Sequence, residues 1–355
     1  MGRRKRGTPV HGWLVLDKPE GVTSTRAVSM ARAALNAEKA GHAGTLDPLA
    51  SGILPIAFGE ATKTVPWLVD ATKVYRFVAA WGEQRATDDR EGEVVATSDV
   101  RPSAEEIRAA LPRFVGSIEQ VPPAYSAVKV AGERAYDLAR AGEEVSLAPR
   151  VVEVHAFELV EVMGPDRAAF EIECGKGTYV RSLVRDLARA LGTVGHVAEI
   201  RRLSVGAFRE ADAVPLSNLA EMGNSARATS LLRPLQTALD DIPALAMGQQ
   251  EATRLRRGQG VILRPAYAAQ LEEGARARTG AKHAGTGGLS AVEELLGEDD
   301  AAPTILCSHI LCTHKGQAVA ICRLDGRELQ PVRVFNLPWT GDADVDYPDP
   351  QAGAD

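Results

Sequence analysis

The chain has 355 residues, 45% hydrophobic and 25% charged, which allows two or three domains and a sizeable core. It contains no run of 18 apolar residues, so no membrane-spanning helix is expected, and the basic start MGRRKRGTPVHGW lacks the apolar stretch of a secretory signal. Four cysteines, Cys174, Cys307, Cys312 and Cys322, do not make a disulfide framework at this length and point to a reducing, cytoplasmic setting.

HGWLVLDKP (11–19) reads as a buried strand stopped by Pro19. Ser24 is placed to cap a helix over 25–37, with Ala27, Met30, Ala31, Ala34 and Leu35 on one face. SGILPIAFG (51–59) is a strand-like run, and ATKTVPWLVD a helix interrupted near Pro66. KVYRFVAAWG (73–82) alternates as a strand does. GEVVAT, SIEQVPP and YSAVKV look like further strands, with helices near 103–111 and 132–141. VVEVHAFELVEV (151–162) and RAAFEIEC (167–174) form the clearest strand pair, around a Gly164-Pro165-Asp166 turn. GTYVRSLVRDLARALG (177–192) is a helix closing on Gly192, and HVAEIRRLSVGAF (196–208) a returning strand. A boundary near 240 opens a small β module over 241–339, with a helix at 248–257 and a flexible insertion at about 270–302. Residues 1–10 read as a basic arm and 340–355 as a disordered acidic tail. Helices mixed with antiparallel-looking strands make the class α+β: a mixed, mainly antiparallel sheet with surrounding helices.

A net charge of −6 speaks against a nucleic-acid partner until its distribution is read. Residues 266–302 and 341–355 together carry −9, leaving the body at +3. Basic clusters stand at Arg3-Arg4-Lys5-Arg6, Arg201-Arg202 and Arg254-Arg256-Arg257, either RNA-facing patches or solvated faces.

In GHAGTLDPLASGILP (41–55), Asp47 is the only ionisable group between His42 and Glu60. Read alone, an Asp before Pro is a turn or cap residue. The wider stretch GHAGTLDPLASGILPIAFGEATK (41–63) resembles the signature of TruB-type bacterial tRNA pseudouridine synthases, relatives of the guide-RNA-dependent dyskerin-like enzymes. LDKPEGVTS (16–24), KVYRF (73–77), GKGTYVRSLVRDLARALG (175–192) and HVAEIRRL (196–203) match in order and spacing. The resemblance covers roughly 10–240, with a weaker match at RVFNL (333–337).

That resemblance implies isomerisation of uridine-55 in the T-loop of elongator tRNAs, with Asp47 as nucleophile. An ionised carboxylate in apolar surroundings needs a counter-charge. Arg181 is the implied partner; without the motif it would read as a helix-surface arginine paired with Asp186 or solvent. Tyr75 is implied to stack on the target uracil with its hydroxyl placed for proton handling, although an aromatic on a strand is commonly core. Tyr179 and Ile200 are implied to line the uracil pocket, Ile200 standing where leucine is usual. His42 is implied to hold the flipped nucleotide in place, against the alternative of a structural histidine. Lys18 and Pro19 read as a brace beneath the site. The β module resembles a PUA-like RNA-binding domain. The implied reaction is redox-neutral and needs no cofactor. Cys307, His309, Cys312 and His314 (CxHxxCxH) do not match usual zinc spacing and read as buried or incidental. The expected partner is the tRNA T-arm, with no membrane and no obligatory protein partner, the protein acting as a monomer. Two rivals stand: a guide-RNA-dependent rRNA modifier, and a tRNA-folding chaperone with little dependence on catalysis.

Overall fold

The computed structural model describes residues 7–126, 128–130, 133–142, 145–222, 229–267, 270–271 and 309–338. The polypeptide divides into two compact units between Pro234 and Leu235, slightly before the boundary read from composition.

The first unit contains β1 (Gly12–Lys18), β2 (Ala40–His42), β3 (Ser51–Phe58), β4 (Lys73–Trp81), β5 (Glu83–Arg85), β6 (Val94–Thr97), β7 (Gly116–Gln120), β8 (Lys129–Val130), β9 (Glu133–Arg134), β10 (Arg150–Val162), β11 (Arg167–Cys174), β12 (Gly195–Val205), β13 (Phe208–Arg209) and β14 (Val214–Pro215). Its helices are α1 (Ser24–Ala34), α2 (Val65–Asp70), α3 (Ala104–Ala110), α4 (Ala135–Arg140), α5 (Val180–Ala190) and α6 (Leu216–Met222). A ten-stranded sheet runs in the order β14-β1-β3-β12-β4-β11-β10-β7, with β2 on β3 and β13 on β12. The β1–β14 and β3–β12 pairs are parallel and the others antiparallel. β12 thus lies between β3 and β4, facing Gly52 with Arg202 on one side and Tyr75 with Arg202 on the other.

Two apolar cores flank this centre. One gathers Phe77, Trp81, Phe170, Ile172, Leu183 and Leu187, with Phe77 stacked on Phe170 at 5.4 Å between ring centres. The other gathers Leu14, Leu16, Ala27, Ala31, Leu54, Ile56 and Phe58. Tyr75 and Ile200 pack against both, which places them at the seam.

Helix α1 departs from its sequence reading in two ways. Thr23 is the N-cap, its side chain accepting from Arg26 N, so the helix begins at Ser24 rather than after it. Met30 is exposed, because the helix turns Ala27, Ala31 and Leu35 into the core, with Val28 and Ala34 packed at its edge. Residues 7–10 are not a free arm. Thr8 N donates to Asn36 O at 2.6 Å and Thr8 O accepts from Glu38 N at 3.1 Å. Arg3 to Arg6 lie outside the described residues.

The second unit is β-rich. β15 (Ala244–Ala246), β16 (Val261–Ile262), β17 (Ile310–His314), β18 (Gln317–Asp325) and β19 (Glu328–Val334) form a sheet in the order β15-β17-β18-β19-β16, packed by α7 (Gln249–Arg256). Cys312 and Cys322 are buried with their sulfurs 3.5 Å apart, and His314 Nδ1 lies 2.7 Å from Met247 O. Cys307, nearly all of the 270–302 insertion and the 340–355 tail lie outside the described residues. At the insertion's start Leu271 is buried in this unit's core. Among the described residues no helix is long and apolar enough to cross a membrane, which says nothing of a β-barrel.

Candidate active site

Asp47 sits in the loop between β2 and β3. Three devices hold that loop. The Ser24 hydroxyl, which does not cap α1, accepts from Leu46 N and donates to Leu46 O, both at 2.9 Å. The fully buried Lys18 amine donates to Pro19 O, Val22 O and Pro48 O at 3.0, 2.7 and 3.3 Å. Gly21 N donates to Pro48 O at 2.8 Å. Burial holds the Lys18 amine down at about 8, against the pull of Asp47. The brace reading of Lys18 and Pro19 thus has a geometry.

Arg181, on the first turn of α5, points its guanidinium at this loop. Its Nη2 lies 2.8 Å from Asp47 Oδ2 and also donates to Tyr125 O at 2.9 Å. Nη1 donates to Thr87 O at 2.9 Å and lies 3.6 Å from Asp89 Oδ2. The two partners differ in exposure: the Arg181 side chain is 6% exposed, that of Asp47 43%. A guanidinium fixed on its inner side therefore presents one nitrogen to a carboxylate open to solvent.

The loop that steadies Arg181 was not singled out from sequence. Thr87, Asp88 and Asp89 follow β5. Asp89 also accepts from Glu91 N at 3.0 Å. Asp88, at φ +58°, pairs with Arg185 at 2.9 Å, one turn beyond Arg181 on α5. Burial pushes the Asp88 carboxyl up, with Arg185 opposing. Asp186 pairs with Arg185 rather than with Arg181. The only sequence cue was two adjacent acids in a short link between strands.

The sequence places Arg202 in a basic surface cluster with Arg201, and the structure corrects this. Neighbours on a strand face opposite ways. Arg201 lies outward, pairing with Asp17 at 3.0 Å and Glu210 at 2.7 Å. Arg202 is 1% exposed and donates to Ile53 O at 2.8 Å and Gly44 O at 3.0 Å. The backbone closes on it through Gly52, at φ +99°, where an added Cβ would lie 2.3 Å from Arg202 O.

Tyr75 is opposite Arg202 in the β4–β12 register, its ring centre 6.0 Å from the guanidinium carbon. Burial raises its phenol above the ordinary tyrosine range, and hydrogen bonding and charge from Arg202 oppose this. His42 ends β2 with Nδ1 buried and unpartnered. Burial and the nearby Arg202 charge lower its imidazole pKa and so favour the neutral ring. Ile200 is half-buried opposite Phe77. Tyr179 precedes α5, its backbone clamped by the Gln120 side chain: Tyr179 N donates to Oε1 at 2.8 Å and Nε2 donates to Tyr179 O at 3.1 Å. Asp47, Arg181, Tyr75, Ile200 and His42 therefore cluster around the β3–β12–β4 centre, while Tyr179 is fixed through its main chain beside Arg181. A carboxylate held by a buried guanidinium, next to an aromatic hydroxyl and an apolar wall, suits chemistry on a heterocyclic base attached to a sugar.

Two family models match the chain. The TruB family pseudouridylate synthase N-terminal domain matches residues 32–180, and the tRNA pseudouridylate synthase B C-terminal domain matches residues 181–240. The second match covers α5 and β12, which fold within the first unit. A protein named tRNA pseudouridine synthase B from Caulobacter vibrioides is 49% identical over 95% of this chain and 100% of its own. One of the same name from Bradyrhizobium diazoefficiens is 51% identical over 94% and 88%. Among solved structures, a Cbf5-Nop10-Gar1 complex matches in fold with a TM-score of 0.63 at 23% identity, covering 94% of this chain and 91% of that one.

Proposed function

The chain belongs to the TruB family of pseudouridylate synthases, and from that premise we propose that it isomerises uridine-55 in the T-loop of elongator tRNAs to pseudouridine. The observation that carries the site assignment is the Asp47–Arg181 contact at 2.8 Å, with the acid open and the base buried. The T-loop docks through phosphate contacts, and the uridine leaves its stack to reach Asp47. Tyr75 and Tyr179 hold the ring, Ile200 walls the pocket, and His42 packs against the RNA loop and keeps the flipped nucleotide in place. Asp47, oriented by Arg181, acts as nucleophile while the bond from the sugar to N1 breaks. The uracil turns and rejoins the sugar through C5 as the bond made by Asp47 breaks. The proton lost at C5 and the one gained at N1 cancel, so the reaction requires no cofactor. Relatives named as acting on tRNA support the substrate class.

The second unit is proposed as a PUA-like RNA-binding module, with Arg254 and Arg257 exposed at the end of α7. The protein is proposed to work in the cytoplasm as a monomer without a protein partner. Incubating purified protein with an unmodified tRNA transcript and mapping pseudouridine tests this reading. Product at the T-loop uridine without guide RNA is expected. A requirement for guide RNA would favour the rRNA modifier, and binding without product the chaperone. Asp47→Asn should abolish product while tRNA affinity stays within about tenfold.

A further inference from the structure

A buried cation is stable when its hydrogen bonds and its charge are both answered. Arg202 meets the first condition and not the second. Its donors go to Ile53 O and Gly44 O, and it is among the largest fully buried side chains. Among the described residues no carboxylate stands within ion-pair distance of it, unlike Arg181, Arg185 and Arg201. Gly44, at φ +83°, lets the backbone approach: an added Cβ would lie 3.3 Å from Arg202 Nη1. Tyr75 stands opposite Arg202 across the β4–β12 pair, its ring centre 6.0 Å from the guanidinium carbon. One side chain thus ties the start of the Asp47 loop to strand β3 and lies beside the Tyr75 ring.

We infer that Arg202 is a positioning residue that holds the Tyr75 hydroxyl and the Asp47 loop in one frame, its uncompensated charge turned toward the phenol oxygen. A neutral donor could meet Ile53 O and Gly44 O without the desolvation cost of a buried charge, so the two carbonyls alone do not call for a cation. The charge contributes where negative charge develops in a site shielded from water. The inference rests on the reading of this chain as a uridine isomerase. In that reaction a Tyr75 phenolate takes the C5 proton and returns it to N1, leaving the overall balance unchanged. The groups facing Tyr75 are Arg202 from β12, Cys174 from β11 and Asp47 from its loop; Lys73, on the same strand, lies near Arg202 and Cys174. Of the three that face it, Arg202 favours the phenolate and the other two oppose it.

The test uses the full chain, with Arg202→Gln, Arg202→Lys and Tyr75→Phe. Single-turnover tritium release from a transcript labelled at C5 of uridine is followed from pH 6.5 to 9.5, beside tRNA affinity. In Arg202→Gln the rate should fall at least about 30-fold with affinity within about threefold, and its alkaline rise should move up by about one pH unit. Arg202→Lys should recover less than about tenfold, since an ammonium cannot reproduce the fork. Tyr75→Phe should lose the alkaline rise while binding tRNA normally. An unshifted rise in folded Arg202 variants, or a rise that survives in Tyr75→Phe, overturns the inference. Should neither Arg202 variant fold, Tyr75→Phe decides alone. A wild type that releases no tritium defeats the functional reading instead.

Discussion

Removing either partner of the Asp47–Arg181 pair should have very different effects on stability, although both should end activity. Arg181 is buried and donates to two main-chain carbonyls at 2.9 Å. Its loss as Arg181→Met leaves those acceptors bare and strands the buried Asp89, which keeps only its Thr87 and Glu91 donors. Breaking a buried pair from one side costs about 3–5 kcal/mol. Asp47 is nearly half exposed, so Asp47→Asn should cost no more than about 1 kcal/mol. Adding Asp89→Asn to Arg181→Met should return about 1–2 kcal/mol, by neutralising the stranded charge, and no activity. Urea unfolding followed by tryptophan fluorescence reads this, because buried Trp13 and Trp81 report on the first unit. If Asp47→Asn proves as destabilising as Arg181→Met, Arg181 is held by the carboxylate and not by its inner partners, and the reasoning fails.

Ser24→Ala should cost about 1–3 kcal/mol and about tenfold in turnover, since both Leu46 backbone groups lose their partner beside Asp47; unchanged turnover would separate Ser24 from the site. Lys18 and Lys73 are both held at about 8 by burial, from 10.5. From about pH 8 upward the folded chain sheds protons that the unfolded chain keeps, so stability should rise by about 1 kcal/mol per lysine between pH 7.5 and 9. Above that range Cys174, pushed up to about 11, works the other way. Lys18→Met should remove about half the slope in urea midpoints, and a flat wild-type curve would contradict it. Binding of tRNA should weaken steeply between 50 and 200 mM salt, roughly 10-fold or more; a flat response in a filter assay would exclude docking through phosphates.

Much of this was legible because strands announce themselves by alternation. β4, β10 and β11 stand where their patterns place them, and the Asp47 loop was marked by a lone acid among apolar residues. What escaped detection depended on distant partners. Asp88 and Asp89 acquire their meaning from Arg185 and Arg181, more than ninety residues later, and such pairing leaves no local period. Ser24 and Thr23 are both good caps, so choosing between them required seeing Leu46. The burial of Arg202 is legible in the sequence. HVAEIRRL has the pattern of a strand, and alternation along it puts one of two adjacent arginines inside.

The position of β12 between β3 and β4 bears on how the chain is made. A ribosome delivers β3 and β4 more than a hundred residues before the strand that separates them. Until residue 205 has emerged, two apolar edges face each other across an unfilled slot, free to pair wrongly with one another or with a neighbouring chain. A fragment ending at residue 194 should therefore aggregate, whatever the quality of its individual strands.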